Sequence, residues 1–313
     1  MKKLFTIISL SFSVVFAFAQ DRAIFTHYHL NPVLINPGYT GFTEVHHLQM
    51  NLRNQWTSFP GAPQTYAINY NGPFGKKIGF GLNVLSEDIA QVSRFTAGAN
   101  YAFRFKVNEF KMGLGFSAEY QSFNLASSVF DQANPLYEPG DFIIEDAVDG
   151  INYFDAGLGF FGEYQNATYF GISFPNLVRA RLDVIENGEE TDGGFGEFYI
   201  FHLGHKIKYE EHGLTINPSM MIRKIRDIPF QVDFNLVAGF AEEKLQAGVS
   251  YRSGLGGAIG LLLGTKLPPF SAYYSYDVSF QRFQQYSGGA HEITFGIDFK
   301  NIVKKRNITS GNN

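Results

Sequence analysis

From Arg94 to Phe105 the chain alternates without a break. Phe95, Ala97, Ala99, Tyr101, Phe103 and Phe105 hold one parity, and Arg94, Thr96, Gly98, Asn100, Ala102 and Arg104 the other. A period of two is the signature of a strand with two unlike faces. The pattern returns at Lys111–Gln121, Phe230–Phe240, Phe270–Phe280 and Glu292–Phe299. It predicts about fourteen strands, at 44–55, 64–71, 76–86, 91–105, 109–124, 151–164, 166–174, 196–210, 213–224, 228–240, 243–252, 256–266, 269–282 and 289–300. Every second connection is tight: Gly72-Pro73-Phe74-Gly75, Val107-Asn108, Gln165-Asn166, Glu210-Glu211-His212-Gly213, Ala241-Glu242-Glu243 and Leu267-Pro268. Those between, at 56–63, 86–91, 125–150, 175–195, 225–228 and 283–288, are mostly longer. Short turns on one side and long loops on the other are the habit of an outer-membrane barrel with its turns in the periplasm, and this parity places both termini there. Twelve or sixteen strands remain alternatives. Segment 166–174 is short for a span, 255–266 is nearly all Gly, Leu and Ile, and 141–146 is a further candidate strand inside a loop-like stretch.

The apolar parity is rich in Phe and Tyr, which tend to fall near strand ends, as interfacial girdles do. A soluble sandwich alternates too, but on shorter strands and with its polar face outward. Composition strengthens the membrane reading: aromatics are 16% and charged residues 17% of the chain, against about 25% charged in ordinary soluble domains. Beyond the N-terminus no run approaches the ~18 apolar residues of a membrane helix, which leaves a closed barrel as the spanning structure. The first residues supply the export signal. Lys2 and Lys3 precede an apolar stretch to Phe16, and Ala17-Phe18-Ala19 is a cleavage signature, so residues 1–19 read as a signal peptide and the mature chain begins at Gln20. The formal charge is -4, and about -6 once Lys2 and Lys3 are removed, which argues against nucleic acid as a partner. Cysteine is absent, and with it disulfides, thiolate catalysis and Cys-bound metals.

Candidate chemistry is sparse. His202 and His205, and likewise His46 and His47, stand an odd number of residues apart and so face opposite sides of a strand. His27 and His29 share a face but lack an evident third ligand for a catalytic zinc. No Ser stands in a nucleophile motif, and the glycines make room in the lumen and form no phosphate-cradling loop. No cofactor, metal or enzymatic activity is expected. The inward parity carries Arg94, Arg104, Glu119, Glu163, Arg223, Asp233, Arg252, Asp277 and Glu292. Their mixed signs favour an interior network of pairs over a selectivity surface. Segment 20–43 is too apolar for a free tail, with Phe25, Tyr28, Leu30, Val33, Leu34, Ile35 and Tyr39, and Asn31-Pro32 and Asn36-Pro37 keep it from forming one helix. It is expected to fold against the barrel mouth, enter the lumen as a plug, or dock on a periplasmic protein. Residues 301–313 form a basic C-terminal tail behind the barrel, 44–300.

Several elements in order resemble one family. Leu30-Asn31-Pro32 through Asn36-Pro37-Gly38-Tyr39-Thr40-Gly41 resembles the N-terminal INPAYAG signature of the PorP/SprF family, with Gly38 and Thr40 where alanine is common. Arg53-Asn54-Gln55-Trp56 and Gly61-Ala62-Pro63-Gln64-Thr65 resemble its R-x-Q-W and G-A-P-x-T elements. Pro218-Ser219 resembles the start of its P-S-rich strand. Tyr274-Ser275-Tyr276-Asp277 and Gly289-Ala290-His291-Glu292-Ile293 resemble its C-terminal elements. The resemblance implies a non-enzymatic outer-membrane component of the Bacteroidetes type IX secretion system. Its implied partners are machinery subunits and a secreted surface protein, often an adhesin, with a tie to gliding motility. The residues themselves offer a client-binding surface in the two longest loops: Phe130, Leu136, Tyr137, Phe142 and Ile143 in one, Leu177, Val178 and Leu182 in the other. Apolar side chains of this kind mark a contact surface, or cap the barrel by packing on each other. A passive porin or hydrophobic-solute transporter in the lipid of the outer membrane is the competing function.

Overall fold

The computed structural model describes residues 25–130, 150–178, 180–182, 198–225, 228–254 and 257–299. Among them run fourteen barrel strands: β1 His46–Asn54, β2 Gln64–Phe74, β3 Ile78–Ile89, β4 Val92–Val107, β5 Phe110–Leu125, β6 Ile151–Tyr164 and β7 Thr168–Phe174. Next come β8, in two pieces, Phe198–His205 and Ile207–Tyr209, then β9 Leu214–Ile225, β10 Ile228–Phe240, β11 Leu245–Ser253, β12 Ala258–Leu267, β13 Phe270–Ser279 and β14 Ala290–Phe299. Each strand pairs antiparallel with its neighbour in sequence, and β14 pairs back on β1 from His46↔Phe299 to Asn54↔His291, which closes the barrel. Closure means that the sheet has no terminal strand among the described residues.

Two local irregularities follow from proline. β8 breaks opposite Pro218 of β9. The bridges Ser219↔Gly204 and Ile216↔Ile207 keep one register across the gap, but Pro218 has no N–H to give the β8 carbonyl facing it. β7 ends because Pro175 follows Phe174; Asn176 then turns at a φ of 58°, and Ala180–Arg181 rejoins the wall on β6. The turn expected at 72–75 lies later. Gly72, Pro73 and Phe74 belong to β2, pairing with Phe80, Gly79 and Ile78, and the chain reverses at Gly75. Gly72 is small because His46 presses against it, not because the chain turns there.

The wall is inside-out relative to a soluble core. Along β1, Gln49, Asn51 and Arg53 are 2%, 1% and 2% exposed, whereas Met50 between them is 45% exposed. The same inversion holds round the ring, with Phe80, Phe116, Phe234, Leu263 and Phe295 turned outward. Rings gather at both ends of the outer face: His46 stacks on Phe299 at the short-turn end, and His291 lies against Tyr276 at the other. Met50→Arg, at mid-barrel on this face, is expected to cost about 2–4 kcal/mol in folding into lipid. Urea titration in vesicles measures it; an unchanged midpoint would mean that this face does not meet hydrocarbon.

Fourteen strands also set the problem of the interior. About eight strands make a barrel that side chains alone can fill, and sixteen or more leave a channel. At fourteen, the interior needs a segment of chain or stays wet.

Candidate functional site: the segment inside the barrel and the chambers around it

Residues 25–43 lie within the lumen. They form three 3₁₀ turns, Thr26–His29, Pro32–Leu34 and Pro37–Tyr39. The sequence dictates the breaks: Asn31 and Asn36 are held out of the helical region before their prolines, and each Pro opens the next turn at its first position. Asn36 caps its own turn, its Oδ1 accepting from the Gly38 amide at 2.8 Å.

Four sets of contacts hold this segment. The first is a charged latch. The Glu292 carboxylate accepts from the Thr26 amide at 2.7 Å and the His27 amide at 3.1 Å. Arg53 donates to the same carboxylate at 3.0 Å and to Asp277 at 2.8 Å. The Thr26 hydroxyl accepts from Arg53 at 2.9 Å and donates to Asp277 at 2.7 Å. The second set is central. Tyr28 packs on Ile200 and Met221 and accepts from Asn235 at 2.5 Å, while Asn31 donates to Asn69 at 2.6 Å. The third is a glycine cradle. A Cβ on Gly113, Gly115 or Gly159 would overlap Gly38, Pro37 or Asn36, so β5 and β6 must be bare there. Asn36 Nδ2 donates to the Phe160 carbonyl at 2.8 Å through the opening. The fourth is aromatic: Tyr39 and Phe42 meet Phe161 edge-on at 4.8 and 4.7 Å, and Arg104 donates to the Gly41 carbonyl at 2.5 Å.

Several of the remaining inward charges pair and brace the wall. Arg252 meets Asp233 at 3.1 Å, Arg94 meets Glu87 at 3.3 Å and lies over the Phe123 ring, and Lys111 meets Glu163 at 3.7 Å. Arg223 donates to Gln231 at 2.5 Å. Three chambers lie inside the barrel, two of them against the segment. One of about 200 Å³ is lined by Arg53, Trp56, Gln231, Arg252, Asp277 and Gln284. Another of about 80 Å³ touches Phe25, Val33, Arg94 and Glu119. The third, about 260 Å³, lies toward the short turns between Tyr39, His47, Glu163, Lys206, Lys266 and Asp298.

The motif residues named from sequence divide among three places. Asn36, Pro37, Tyr39 and Gly41 belong to the lumen segment, and Arg53, Asp277 and Glu292 to the latch. Tyr276 and His291, one position from those carboxylates, point outward, as period two requires. Gln55, Trp56, Gly61, Ala62 and Pro63 shape the loop between β1 and β2. The Gln55 amide donates to the Pro63 carbonyl at 2.9 Å, and Gly61, at a φ of 72°, sits against Ala90. Of the loop residues, Leu177 is half-buried, its amide donating to the Ala156 carbonyl at 2.8 Å, and Val178 and Leu182 are each 37% exposed. The Phe130 side chain, Leu136, Tyr137, Phe142 and Ile143 lie outside the described residues, as do the leader, the 141–146 candidate strand and the basic tail. Sequence reasoning missed Arg53 among the inward charges, although it shares the parity of Gln49 and Asn51. It also missed Glu87, which lies one residue past the expected end of β3. No group of three His, Cys, Asp or Glu able to hold a metal occurs among the described residues.

Residues 17–297 match the family described as type IX secretion system membrane protein PorP/SprF. The chain belongs to the PorP/SprF family. No curated protein matches it. Among solved structures, the CymD monoaromatic hydrocarbon channel is similar over 91% of this chain and 95% of its own, with a TM-score of 0.51 at 12% identity. The toluene transporter TbuX of Ralstonia pickettii aligns over 85% of this chain and 92% of its own, at 10% identity and a TM-score of 0.49. At 12% identity the CymD likeness shows the barrel fold alone. Barrel, lipid-facing wall and family together make this PorP/SprF protein an outer-membrane β-barrel of the type IX secretion system.

Proposed function

We propose that this PorP/SprF barrel works by contact and not by conduction, as a non-enzymatic component that supports export or surface attachment of a secreted protein such as an adhesin, with a tie to gliding motility. The observation that carries the reading is the segment latched by Arg53, Asp277 and Glu292 across a lumen wide enough to conduct without it. In this reading the long loops 125–150 and 175–195 hold the client, and the short-turn face meets machinery subunits. Affinity capture of the tagged barrel from detergent-solubilised outer membranes, with mass spectrometry, tests it. A large secreted surface protein or secretion subunits are expected in the eluate, and deletion of 131–149 is expected to lower client recovery at least tenfold while leaving the barrel assembled. Recovery of the barrel alone would sink the proposal.

The competing reading, passage of small apolar solutes, draws on the fold likeness to the CymD hydrocarbon channel. It requires the lumen segment to move aside, and steady conductance in planar bilayers would favour it.

A further inference from the structure

The chamber of about 200 Å³ beside the latch lies at the outer end of the barrel. Short turns mark the periplasmic end of a bacterial barrel. Arg53 is the second residue from the opposite end of β1, and Ala258 and Ala290, which also line the chamber, open β12 and β14 at that end. Arg53 and Asp277 bind Thr26 of the lumen segment and line the chamber as well. From Thr26 the segment runs inward to Gly41, whose amide meets Asn71 near the short turns. Around the chamber, buried side chains keep hydrogen-bonding groups that no described residue uses. Gln231 is 3% exposed; its Oε1 accepts from Arg223, which leaves its Nε2 unpaired. Gln55 is 8% exposed, and only its backbone amide is engaged, on the Pro63 carbonyl. Arg252 spends its Nε on Asp233 and keeps both terminal nitrogens. Buried polar groups are normally matched, so three unmatched ones round a single cavity call for an occupant.

We propose that this outer chamber binds one neutral sugar unit, hydrogen-bonded by Gln55, Gln231 and Arg252 beside Trp56. The formal charges nearby balance: Arg53, Arg223 and Arg252 stand against Asp233, Asp277 and Glu292. A charged ligand therefore finds no spare counter-charge. What remains is hydrogen bonding in both senses, since the Gln55 carboxamide donates and accepts while Gln231 Nε2 and Arg252 donate. A hydroxyl is the neutral group that answers both. A pyranose carries several hydroxyls round a ring whose C–H face is apolar, and the Trp56 indole lining the chamber is the surface to cover that face. The volume falls below the ~300 Å³ of pockets for drug-sized ligands, which restricts the occupant to a single ring. The proposal does not rest on client binding: this site belongs to the barrel wall, whatever the long loops hold.

Trp56 is the only tryptophan in the chain, so its fluorescence reads the chamber directly. The full-length barrel, in a detergent without a sugar headgroup, is titrated with glucose, galactose, mannose, N-acetylglucosamine, rhamnose and fucose. Glucuronate and glucosamine serve as charged comparators. A saturable change in emission with at least one neutral sugar is expected, and calorimetry on the same samples catches binding that leaves the emission unchanged. Gln55→Leu is expected to weaken binding about fivefold, the usual loss with one hydrogen bond, while chymotrypsin still finds 25–43 protected. If Gln55→Leu does not assemble, Trp56→Phe read by calorimetry takes its place. Retained affinity for the methyl glycoside of the bound sugar supports a site for the end of a glycan, and its loss supports a site for free sugar. No binding of any neutral sugar by either method leaves water as the occupant and overturns the proposal. Tighter binding of glucuronate or glucosamine overturns it as well, and so does full affinity in the variant.

Discussion

Replacing Arg53 by alanine is expected to free the lumen segment and destabilise the protein by about 3–5 kcal/mol, the usual cost of breaking a buried ion pair by removing one partner. Arg53 is 2% exposed and joins two carboxylates, themselves 0% and 6% exposed at the side chain, to the Thr26 hydroxyl. Without it, Glu292 and Asp277, close neighbours on the paired strands β14 and β13, lose the cation they share. The segment's amides alone cannot compensate two charges. Arg53→Lys is expected to rescue poorly, because a single ammonium cannot donate from a planar fork to two carboxylates at once. The readout is proteolysis as well as stability. Residues 25–43 contain Phe25, Tyr28, Tyr39 and Phe42 but no Lys or Arg, so chymotrypsin reports release where trypsin is blind. Cleavage at Tyr28 in Arg53→Ala barrels that still shift with heating on a gel is the predicted result. Continued protection would mean that the latch does not hold the segment.

Gly115→Val is expected to give the second large effect, by sterics instead of charge. A Cβ at Gly115 falls on the Pro37 carbonyl and the Gly38 amide, and neither is the far end of a flexible side chain. Gly113 and Gly159 are bare for the same reason, so the cradle cannot relax sideways. Valine is a good strand residue, and the wall around it is expected to form. The variant therefore separates barrel from segment: β5 stays paired to β4 and β6, and 25–43 loses its seat. Chymotrypsin cleavage comparable to Arg53→Ala is the expected result. Gly239→Ala serves as control, because its Cβ would meet the Glu243 side chain at 3.1 Å, and that chain can move. If Gly115→Val kept the segment protected, the cradle would not be a required fit.

The strands were legible because lipid and lumen impose opposite demands at a spacing of two. All fourteen expected segments have a counterpart in the structure, and 151–164 and 228–240 match residue for residue. The errors are local and physical. Gly72-Pro73 looks like a turn because glycine and proline usually punctuate, but here the glycine makes room for His46 and the proline lies within the last residues of a strand. The interior pairing was legible from mixed signs, whereas the partner of each charge was not: Arg53 and Glu292 are 239 residues apart and meet only because β14 closes on β1. The lumen segment betrayed itself by its apolar content. Its direction did not, since nothing in a local pattern says which end of a barrel a segment starts from.

The central claim is that this barrel is closed by its own chain and acts through the surfaces it presents. Conductance of the purified wild-type protein in planar bilayers tests it most directly. The account predicts no steady open-channel current from the wild type, with current appearing in Gly115→Val and Arg53→Ala. A steady wild-type current, unchanged by either substitution, would contradict it.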